Sequence, residues 1–201
     1  MDEFQERYEE HQERKKRQLE DLKGKLHRIR PEADFEMFLD ILYERRSIRK
    51  FNDKKITTLE MKFIDKAVVK TPSSCNRQAV YIKEVDAEII EQYLVGGRGW
   101  INKADKVILI FADKTAYKSP NEKGFMPYLD AGHAGQSIYL MCEALGIGAC
   151  FVNPNIREED KEDFNKIFNP NEDYFCGSFA LGHYDKKPIE PPRRKKATKW
   201  S

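Results

Sequence analysis

Four cations surround one apolar residue and one hydroxyl group in the segment ERRSIRKF, residues 44–51. Arg45, Arg46 and Arg49 can present planar guanidinium groups, and Ser47 places a neutral hydrogen-bond donor among them. Such a set suits phosphate, because it combines bidentate charged donors with a neutral one. The segment therefore predicts a site for a phosphomonoester. The competing interpretation is a charged segment that is solvated or paired with glutamate.

The segment TPSSCNRQ, residues 71–78, is the second place where polar side chains gather. It separates a predicted helix from a predicted strand, and its Pro-Ser-Ser sequence is also typical of an ordinary turn. If the chain is extended here, Asn76 and Gln78 alternate onto one side and can offer donors and acceptors to the edge of a planar ring. We therefore expect this loop to lie beside a heterocycle.

The elements that must position these two segments alternate between helix and strand. An apolar face with Thr58 as its N-cap predicts a helix over 58–69. A second helix is predicted over 128–145, where Gly132 and Gly135 call for a closely packed neighbour. The remaining predicted elements are a helix over 156–168, a turn and strand over 146–152, and strands over 80–83, 106–112 and 174–181. This alternation predicts an α/β or α+β layered domain.

The composition excludes several classes of protein. With 36 Lys and Arg against 34 Asp and Glu, the formal net charge is +2, so no overall field favours nucleic acid as a partner. No segment approaches the roughly 20 apolar residues that span a membrane, so we expect a soluble, unexported protein. The four cysteines lack a CxxC pair or a histidine at ligand spacing, which argues against metal and disulfides and favours the cytoplasm: Cys75, Cys142, Cys150 and Cys176.

The first 30 residues are rich in charge and predict a helical arm. Their apolar residues form only a narrow stripe: Leu19, Leu22, Leu26 and Ile29. The arm is predicted to be either a solvated helix stabilised by ion pairs between residues four apart, or a segment that docks on a partner subunit. Residues 31–195 are then expected to form one domain, followed by a basic tail at 196–201.

Four motifs in a fixed order carry a resemblance to a known family. They are RRSIRKF at 45–51, PSSCNRQ at 72–78, DAGHAGQSIYLMCEALGIGACFV at 130–152 and LGHYDKKPIEPPRR at 181–194. Over about residues 35–195 the chain resembles the nitroreductase family of flavin mononucleotide (FMN) enzymes. The resemblance implies an α+β sandwich whose central mixed sheet is flanked by helices. It also implies a homodimer with flavin sites at the subunit interface, in which the helix over 128–145 is the central dimer helix.

The resemblance assigns two groups of residues to FMN. The phosphate and ribityl chain are expected to bind Arg45, Arg46, Ser47 and Arg49 together with Arg194, for which Arg193 is the alternative. The isoalloxazine ring is expected to lie along the loop residues Pro72, Ser73, Ser74, Asn76 and Gln78, and part of this loop is expected to serve the flavin of the opposite subunit.

The implied activity is hydride transfer from NADH or NADPH to FMN, followed by reduction of a nitroaromatic, a quinone or a similar acceptor in a ping-pong cycle. No side chain is required as acid or base, so we assign no catalytic residue and no metal. His133 is expected to be a packed helix residue, Cys75 a small neutral filler and Asp130 a helix cap. The alternatives are a reductive dehalogenase or flavin-modifying relative, or a non-enzymatic flavin-binding protein. The short segment 85–128 leaves the covering of the substrate pocket open.

Overall fold

The computed structural model describes residues 13, 17 and 32–192. Contacts divide the chain into two units, Met1–Tyr43 with Lys187–Ser201, and Glu44–Lys186. In the first unit, Arg17 and Glu13 form an exposed ion pair with an Nη2–Oε2 distance of 3.5 Å. Helix α1 (Glu32–Glu44) begins in this unit and exposes apolar side chains to solvent: Met37, Phe38 and Leu42. The rest of the predicted arm and the predicted tail lie outside the described residues, so both domain boundaries stay predictions.

A four-stranded sheet forms the centre of the second unit. Its strands are β1 (Val80–Val85), β2 (Lys106–Ala112), β3 (Gly148–Val152) and β4 (Tyr174–Gly182), in the order β1-β2-β4-β3. All three strand pairings are antiparallel, and a single parallel bridge joins Ser47 to Ala149 at the edge of β3. The resemblance implied a mixed sheet, and the parallel pairing seen in the described residues is this one bridge. The α+β class is confirmed.

Helices cover both faces of the sheet because the central strand β2 is apolar on both sides. Alternate β2 side chains enter two separate clusters, Ile108 and Ile110 on one face and Leu109 and Phe111 on the other. The first face is covered by α2 (Thr58–Val69) and by the helix Met126–Ala144, here α5. The second face is covered by α3 (Ala87–Glu91) and α6 (Lys161–Phe168). None of the described helices is long and apolar enough to cross a membrane.

Helix α2 is capped by Thr57, so the predicted cap at Thr58 is wrong by one residue. The Thr57 hydroxyl accepts the Glu60 N–H at 3.2 Å, and the Thr57 N–H donates to Glu60 Oε2 at 2.6 Å. This reciprocal capping box requires an acid three residues after the cap, and Glu60 stands at that distance from Thr57 and not from Thr58.

Helix α5 begins two residues earlier than predicted, with Pro127 in its first turn. Asp130 therefore lies inside the helix, and its predicted role as a cap is wrong. The expected close neighbour of the two glycines is also largely absent within the described residues of this subunit. A methyl group at Gly135 would meet the Phe179 ring at an ordinary 3.6 Å, and one at Gly132 would meet nothing within 4 Å.

Helix α6 is shorter than the predicted 156–168. Arg157 is extended, with φ −64° and ψ 149°, and a 3₁₀ turn over Glu158–Asp160 precedes the α-helical residues. Arg157 Nη2 pairs with Asp160 Oδ2 at 2.5 Å, which stabilises the turn before the helix begins.

Candidate functional site

The segment ERRSIRKF at residues 44–51, here called the arginine segment, runs along the free edge of β3. Ile48 N–H donates to the Ala149 carbonyl at 3.0 Å, and the Ile48 side chain is buried against Gly148. A Cβ on Gly148 would lie 2.8 Å from Ile48, so only glycine permits this approach. Because alternate residues of the segment face opposite sides, Ile48 anchors the backbone while Ser47 and Arg49 are more exposed.

Two of the arginines lie over aromatic rings. The Arg45 guanidinium carbon is 4.7 Å from the centre of the Tyr139 ring, and that of Arg49 is 5.7 Å from the centre of the Trp100 ring. Neither arginine forms an ion pair with a carboxylate within residues 32–192, so the alternative of pairing with glutamate is not seen for them. Arg46 is nearly buried and its Nη1 donates to the Arg45 carbonyl at 2.9 Å. The cluster therefore presents positive charge that can bind an anion.

Ser47 and Cys150 complete the surroundings of this cluster. Ser47 Oγ is 3.4 Å from Tyr139 Oη, and Tyr139 Oη accepts the Phe151 N–H at 2.8 Å. Burial raises the pKa of the Cys150 thiol, and the charges of Arg49 and Arg45 and a hydrogen bond from Ser47 offset this only in part. Because the thiol stays neutral at ordinary pH, no thiolate neutralises the arginines.

The loop at 72–78 is a tight turn, so the extended conformation that would place Asn76 and Gln78 on one side is not found. Residues Ser74–Asn76 form a 3₁₀ turn, and Cys75, Asn76 and Gln78 have left-handed φ values of 52°, 53° and 53°. The two amides meet each other, since Gln78 Nε2 donates to Asn76 Oδ1 at 3.2 Å. Each left-handed non-glycine residue costs about 1–3 kcal/mol and persists only where surrounding contacts enforce it.

Asp130 on α5 supplies one of those contacts. Its Oδ1 accepts the Ser74 N–H at 2.9 Å, and its Oδ2 accepts the Tyr117 hydroxyl at 2.9 Å. The carboxylate is only 2% exposed, so these two donors replace its lost hydration. The pKa of Tyr117 is raised, mainly by burial and to a smaller extent by the hydrogen bond to Asp130. Asp130 thus anchors the loop and does not cap the helix.

Arg77 holds the loop from its other side. Arg77 Nη2 donates to both carboxylate oxygens of Glu122 at 3.0 Å, and Nη1 donates to Ser74 Oγ at 3.0 Å. Its guanidinium carbon lies 5.5 Å from the centre of the Tyr117 ring. Within the loop, Ser73 Oγ accepts the Gln78 N–H at 2.9 Å, while Pro72 is exposed. No local pattern singles out Arg77, Tyr117, Glu122 or Tyr139, because their partners are far away in the sequence.

The arginine segment and the loop attach to opposite flanks of α5. Asp130 contacts the loop and Tyr139 contacts the arginine segment, and these residues are nine positions apart. At about 100° and 1.5 Å per residue, they point in opposite directions and are about 13 Å apart along the axis. The helix face between them is exposed and carries Tyr128, Leu129, Gly132, His133 and Gln136. His133 is therefore not packed as expected within this subunit, and Cys75 in the loop is exposed too.

The segment 85–128 contains no long covering helix. Between β1 and α5 it holds β2, three short 3₁₀ turns, α3 and α4 (Pro120–Lys123), and the longer of these two helices has 5 residues. An open polar hollow of about 540 Å³ lies beside α3, lined by Glu88, Glu91, Gln92, Arg98, Gly99 and Asn102. Arg193 and Arg194 lie outside the described residues, so their predicted contact with phosphate stays a prediction.

Comparison with known proteins identifies the family. The model of the nitroreductase family matches residues 42–96 and 92–183. A provisionally named NADH dehydrogenase/NAD(P)H nitroreductase from Archaeoglobus fulgidus is 30% identical over 153 residues, or 74% of this chain and 85% of that protein. The FMN reductase (NAD(P)H) of Bacillus subtilis is 26% identical over 171 residues, or 76% of this chain and 68% of that protein.

A solved structure agrees with these relatives. The FMN-dependent nitroreductase from Clostridium difficile matches with a TM-score of 0.63 at 25% identity, over 77% of this chain and 91% of that chain. The chain belongs to the nitroreductase family, as its motifs indicate. The matched residues include the arginine segment, the loop and α5.

Proposed function

We propose that this protein is an FMN-dependent oxidoreductase that takes hydride from NADH or NADPH and passes the electrons to a small acceptor. The observation that carries the proposal is the arginine cluster, in which Arg45 and Arg49 lie over aromatic rings with no carboxylate partner in residues 32–192. Membership of the family and the names of the relatives support FMN and NAD(P)H as the cofactor and reductant. When bound, FMN supplies the redox chemistry, and the protein binds and orients it.

The arginine cluster and the loop bind different parts of FMN. Arg45, Arg46, Ser47 and Arg49 bind the phosphate and ribityl chain, with Arg194 or Arg193 as a further cation. The loop residues Pro72, Ser73, Ser74, Asn76 and Gln78 lie along the ring. The strained turn and its anchor at Asp130 support a preorganised role for this loop, because strain of this kind is retained where geometry matters.

The complete site is formed by two subunits. Since the cluster and the loop lie on opposite flanks of α5, a second copy packed on the exposed face between them can bring the loop of one subunit to the cluster of the other. The exposed apolar side chains of α2 and of the α5 region support this face as the dimer interface: Leu59, Phe63, Val69, Phe125, Tyr128 and Leu129.

The acceptors are nitroaromatics, quinones or similar small molecules, reduced in a ping-pong cycle in which the oxidised nicotinamide leaves before the acceptor binds. The short helices of the segment 85–128 support a site that is open to acceptors of different shape. No side chain of the described site needs to transfer a proton, so the protein acts by binding and orientation.

The proposal is tested by the visible spectrum of purified protein under anaerobic conditions. We expect a yellow protein that bleaches with NADH or NADPH and regains its colour when a quinone or nitroaromatic is added. Initial rates at varied concentrations of both substrates should give parallel double-reciprocal lines. A protein that cannot be reconstituted with FMN would overturn the proposal. A yellow protein that neither nicotinamide bleaches would instead indicate a non-enzymatic flavin-binding protein.

A further inference from the structure

We propose that Tyr139 is a positioning residue for the phosphate of FMN, because its ring supports Arg45 and its hydroxyl orients Ser47. Through these two contacts, Tyr139 sets how strongly the protein prefers FMN over riboflavin, which lacks the phosphate. This inference rests on the proposed function, because it takes Arg45 and Ser47 as phosphate ligands.

Tyr139 is fixed from two directions. Its ring packs edge-on against the fully buried Phe179, with ring centres 4.8 Å apart and an angle of 79° between the planes. Its hydroxyl oxygen accepts the Phe151 N–H at 2.8 Å. A ring held by both a core residue and a strand amide has little freedom, so it can serve as a rigid support for a side chain placed upon it.

The bond to Phe151 links α5 to β3, the strand along which the arginine segment runs. At the free edge of β3, the Ala149 carbonyl accepts the Ile48 N–H at 3.0 Å, and the Phe151 amide faces the same edge two residues later. The Tyr139 hydroxyl occupies the place that a longer neighbouring strand would fill. A side chain of α5 therefore bonds to the edge of β3 two residues beyond the point where the arginine segment is attached.

An aromatic support suits a phosphate ligand better than a carboxylate would. The Arg45 guanidinium lies 4.7 Å from the centre of the Tyr139 ring, so that the ring attracts the charge as a cation–π partner. The N–H donors of a guanidinium point outward in its plane, and a carboxylate partner would occupy them. A π partner leaves those donors available to the two oxygens of a phosphate.

The hydroxyl can direct Ser47 in a similar way. Because Tyr139 Oη already accepts the Phe151 N–H, its own proton can be donated to Ser47 Oγ, which lies 3.4 Å away. Ser47 then keeps its own proton, which it can donate to a phosphate oxygen in place of the Cys150 thiol. Tyr139 thus acts on both a charged and a neutral donor of the same proposed site.

The test is titration of the apoprotein with FMN and with riboflavin, followed by flavin fluorescence. Tyr139→Leu removes the ring and the hydroxyl, and should weaken FMN binding about 2- to 30-fold, the range that a cation–π contact spans. Riboflavin binding should change less than about 2-fold, because riboflavin has no phosphate for Arg45 to bind. In an Arg45→Ala background, the part of the Tyr139→Leu effect that acts through the arginine should disappear.

Tyr93→Leu is the matched control for lost packing. Tyr93 is nearly buried against Phe164 and Phe168 in the second core cluster. Its replacement should lower the melting temperature without changing the ratio of FMN to riboflavin affinity. If Tyr139→Leu does not fold, Tyr139→Phe decides: loss of the hydroxyl should lower this ratio about 2- to 10-fold, and should have no such effect when Ser47 is already alanine.

The same titrations distinguish an error in the role of Tyr139 from an error in the assignment of the phosphate site. If wild type binds FMN and riboflavin equally, or if Arg45→Ala leaves the ratio unchanged, the assignment of the phosphate itself is wrong. If wild type prefers FMN and Arg45→Ala removes much of that preference, but the Tyr139 variants leave the ratio unchanged, Tyr139 is only a structural residue and the inference is overturned.

Discussion

The arginines of the proposed phosphate site differ in how firmly they are held. Arg45 is half-buried on the Tyr139 ring, whereas Arg49 is exposed above Trp100 at the longer distance of 5.7 Å. Arg46 is 9% exposed and is turned toward the backbone of Arg45. Among these three arginines, we therefore expect Arg45 to contribute most to specific binding of phosphate, because it loses the least conformational freedom when it engages the ligand.

Replacement of Arg45 by alanine tests the assignment of this residue to the phosphate. A hydrogen bond to a charged group contributes about 1.5–3 kcal/mol, so Arg45→Ala should weaken FMN binding about 10- to 150-fold. Arg45→Lys should restore only part of the loss, because it keeps the charge without the planar fork. The affinity is measured by titration of the apoprotein, and Arg194→Ala is expected to behave like Arg45→Ala.

Arg157→Ala is the control for general loss of positive charge, since Arg157 pairs with Asp160 before α6. It should leave FMN binding unchanged. Equal affinity for FMN in wild type, Arg45→Ala and Arg194→Ala would mean that ERRSIRKF is a solvated charge run.

At the scale of single elements, the loop at 72–78 depends on Asp130. Asp130→Ala would leave the partly buried Ser74 N–H and the buried Tyr117 hydroxyl without their acceptor, at a cost of up to about 1–3 kcal/mol for each unsatisfied group. We expect a lower free energy of unfolding in urea. We also expect weaker binding of FMN and riboflavin by the same factor, because the loop is assigned to the ring that both flavins share.

Tyr117→Phe is the companion variant for this prediction. It leaves the bond between Asp130 and Ser74 in place, so flavin binding should change much less than in Asp130→Ala. A loss of FMN affinity in Asp130→Ala without any loss of riboflavin affinity would contradict the assignment of the loop to the ring.

The first turn of α2 offers a prediction about stability. Loss of an N-cap side chain costs about 0.5–2 kcal/mol, so Thr57→Ala should lower the free energy of unfolding by that amount. Thr58→Ala changes the adjacent threonine, which is not the cap, and should change stability by less than about 0.5 kcal/mol. Equal effects of the two substitutions in urea denaturation would contradict the capping box.

The same turn gives stability a dependence on pH. Hydrogen bonds from the backbone and side chain of Thr57 lower the pKa of Glu60 below its ordinary value of 4.5. Because the folded-state pKa is the lower one, this stabilisation is present above pH 4.5 and is lost as the pH falls through the folded-state pKa. The difference in stability between wild type and Thr57→Ala should therefore shrink below pH 4.5 in denaturant titrations.

At the scale of the whole molecule, we expect a homodimer in solution. The exposed α5 face between Asp130 and Tyr139 includes Leu129, whose exposed fraction of 52% is high for an apolar residue. Light scattering should give about twice the subunit mass of 23.6 kDa. Leu129→Arg should produce a folded monomer that has lost tight flavin binding, because each proposed site needs both subunits.

The matched control is Ile167→Arg, since Ile167 on α6 is 51% exposed and lies on the other side of the sheet. It should remain dimeric and bind FMN normally. A wild-type monomer that binds FMN tightly would rule out a site shared between subunits.

Much of the fold could be predicted from local patterns. The continuous apolar run of β2 indicated burial on both faces, and the four strands and the helices α2 and α5 were recognised close to their observed bounds. Helix α6 begins five residues later than predicted, and the short helix α3 was not predicted. These features depend on side-chain periodicity and on hydrogen bonds between near neighbours, which the sequence displays directly. The family could be recognised in the same way, because its four motifs and their order are properties of the sequence alone.

The sequence determined which residues are chemically suited to hold a flavin phosphate, and only the tertiary structure decided how they are supported. Asp130 meets Ser74 across 56 positions of the chain, and Tyr139 meets Ser47 across 92. No local pattern reveals such pairs, so Asp130 looked like a cap and Tyr139 went unnoticed. The Pro-Ser-Ser sequence allowed a turn at 72–78, but the left-handed conformations of Cys75, Asn76 and Gln78 were not predicted. Apart from Asn76, these residue types rarely adopt such a conformation by themselves, so contacts with distant residues hold them in it.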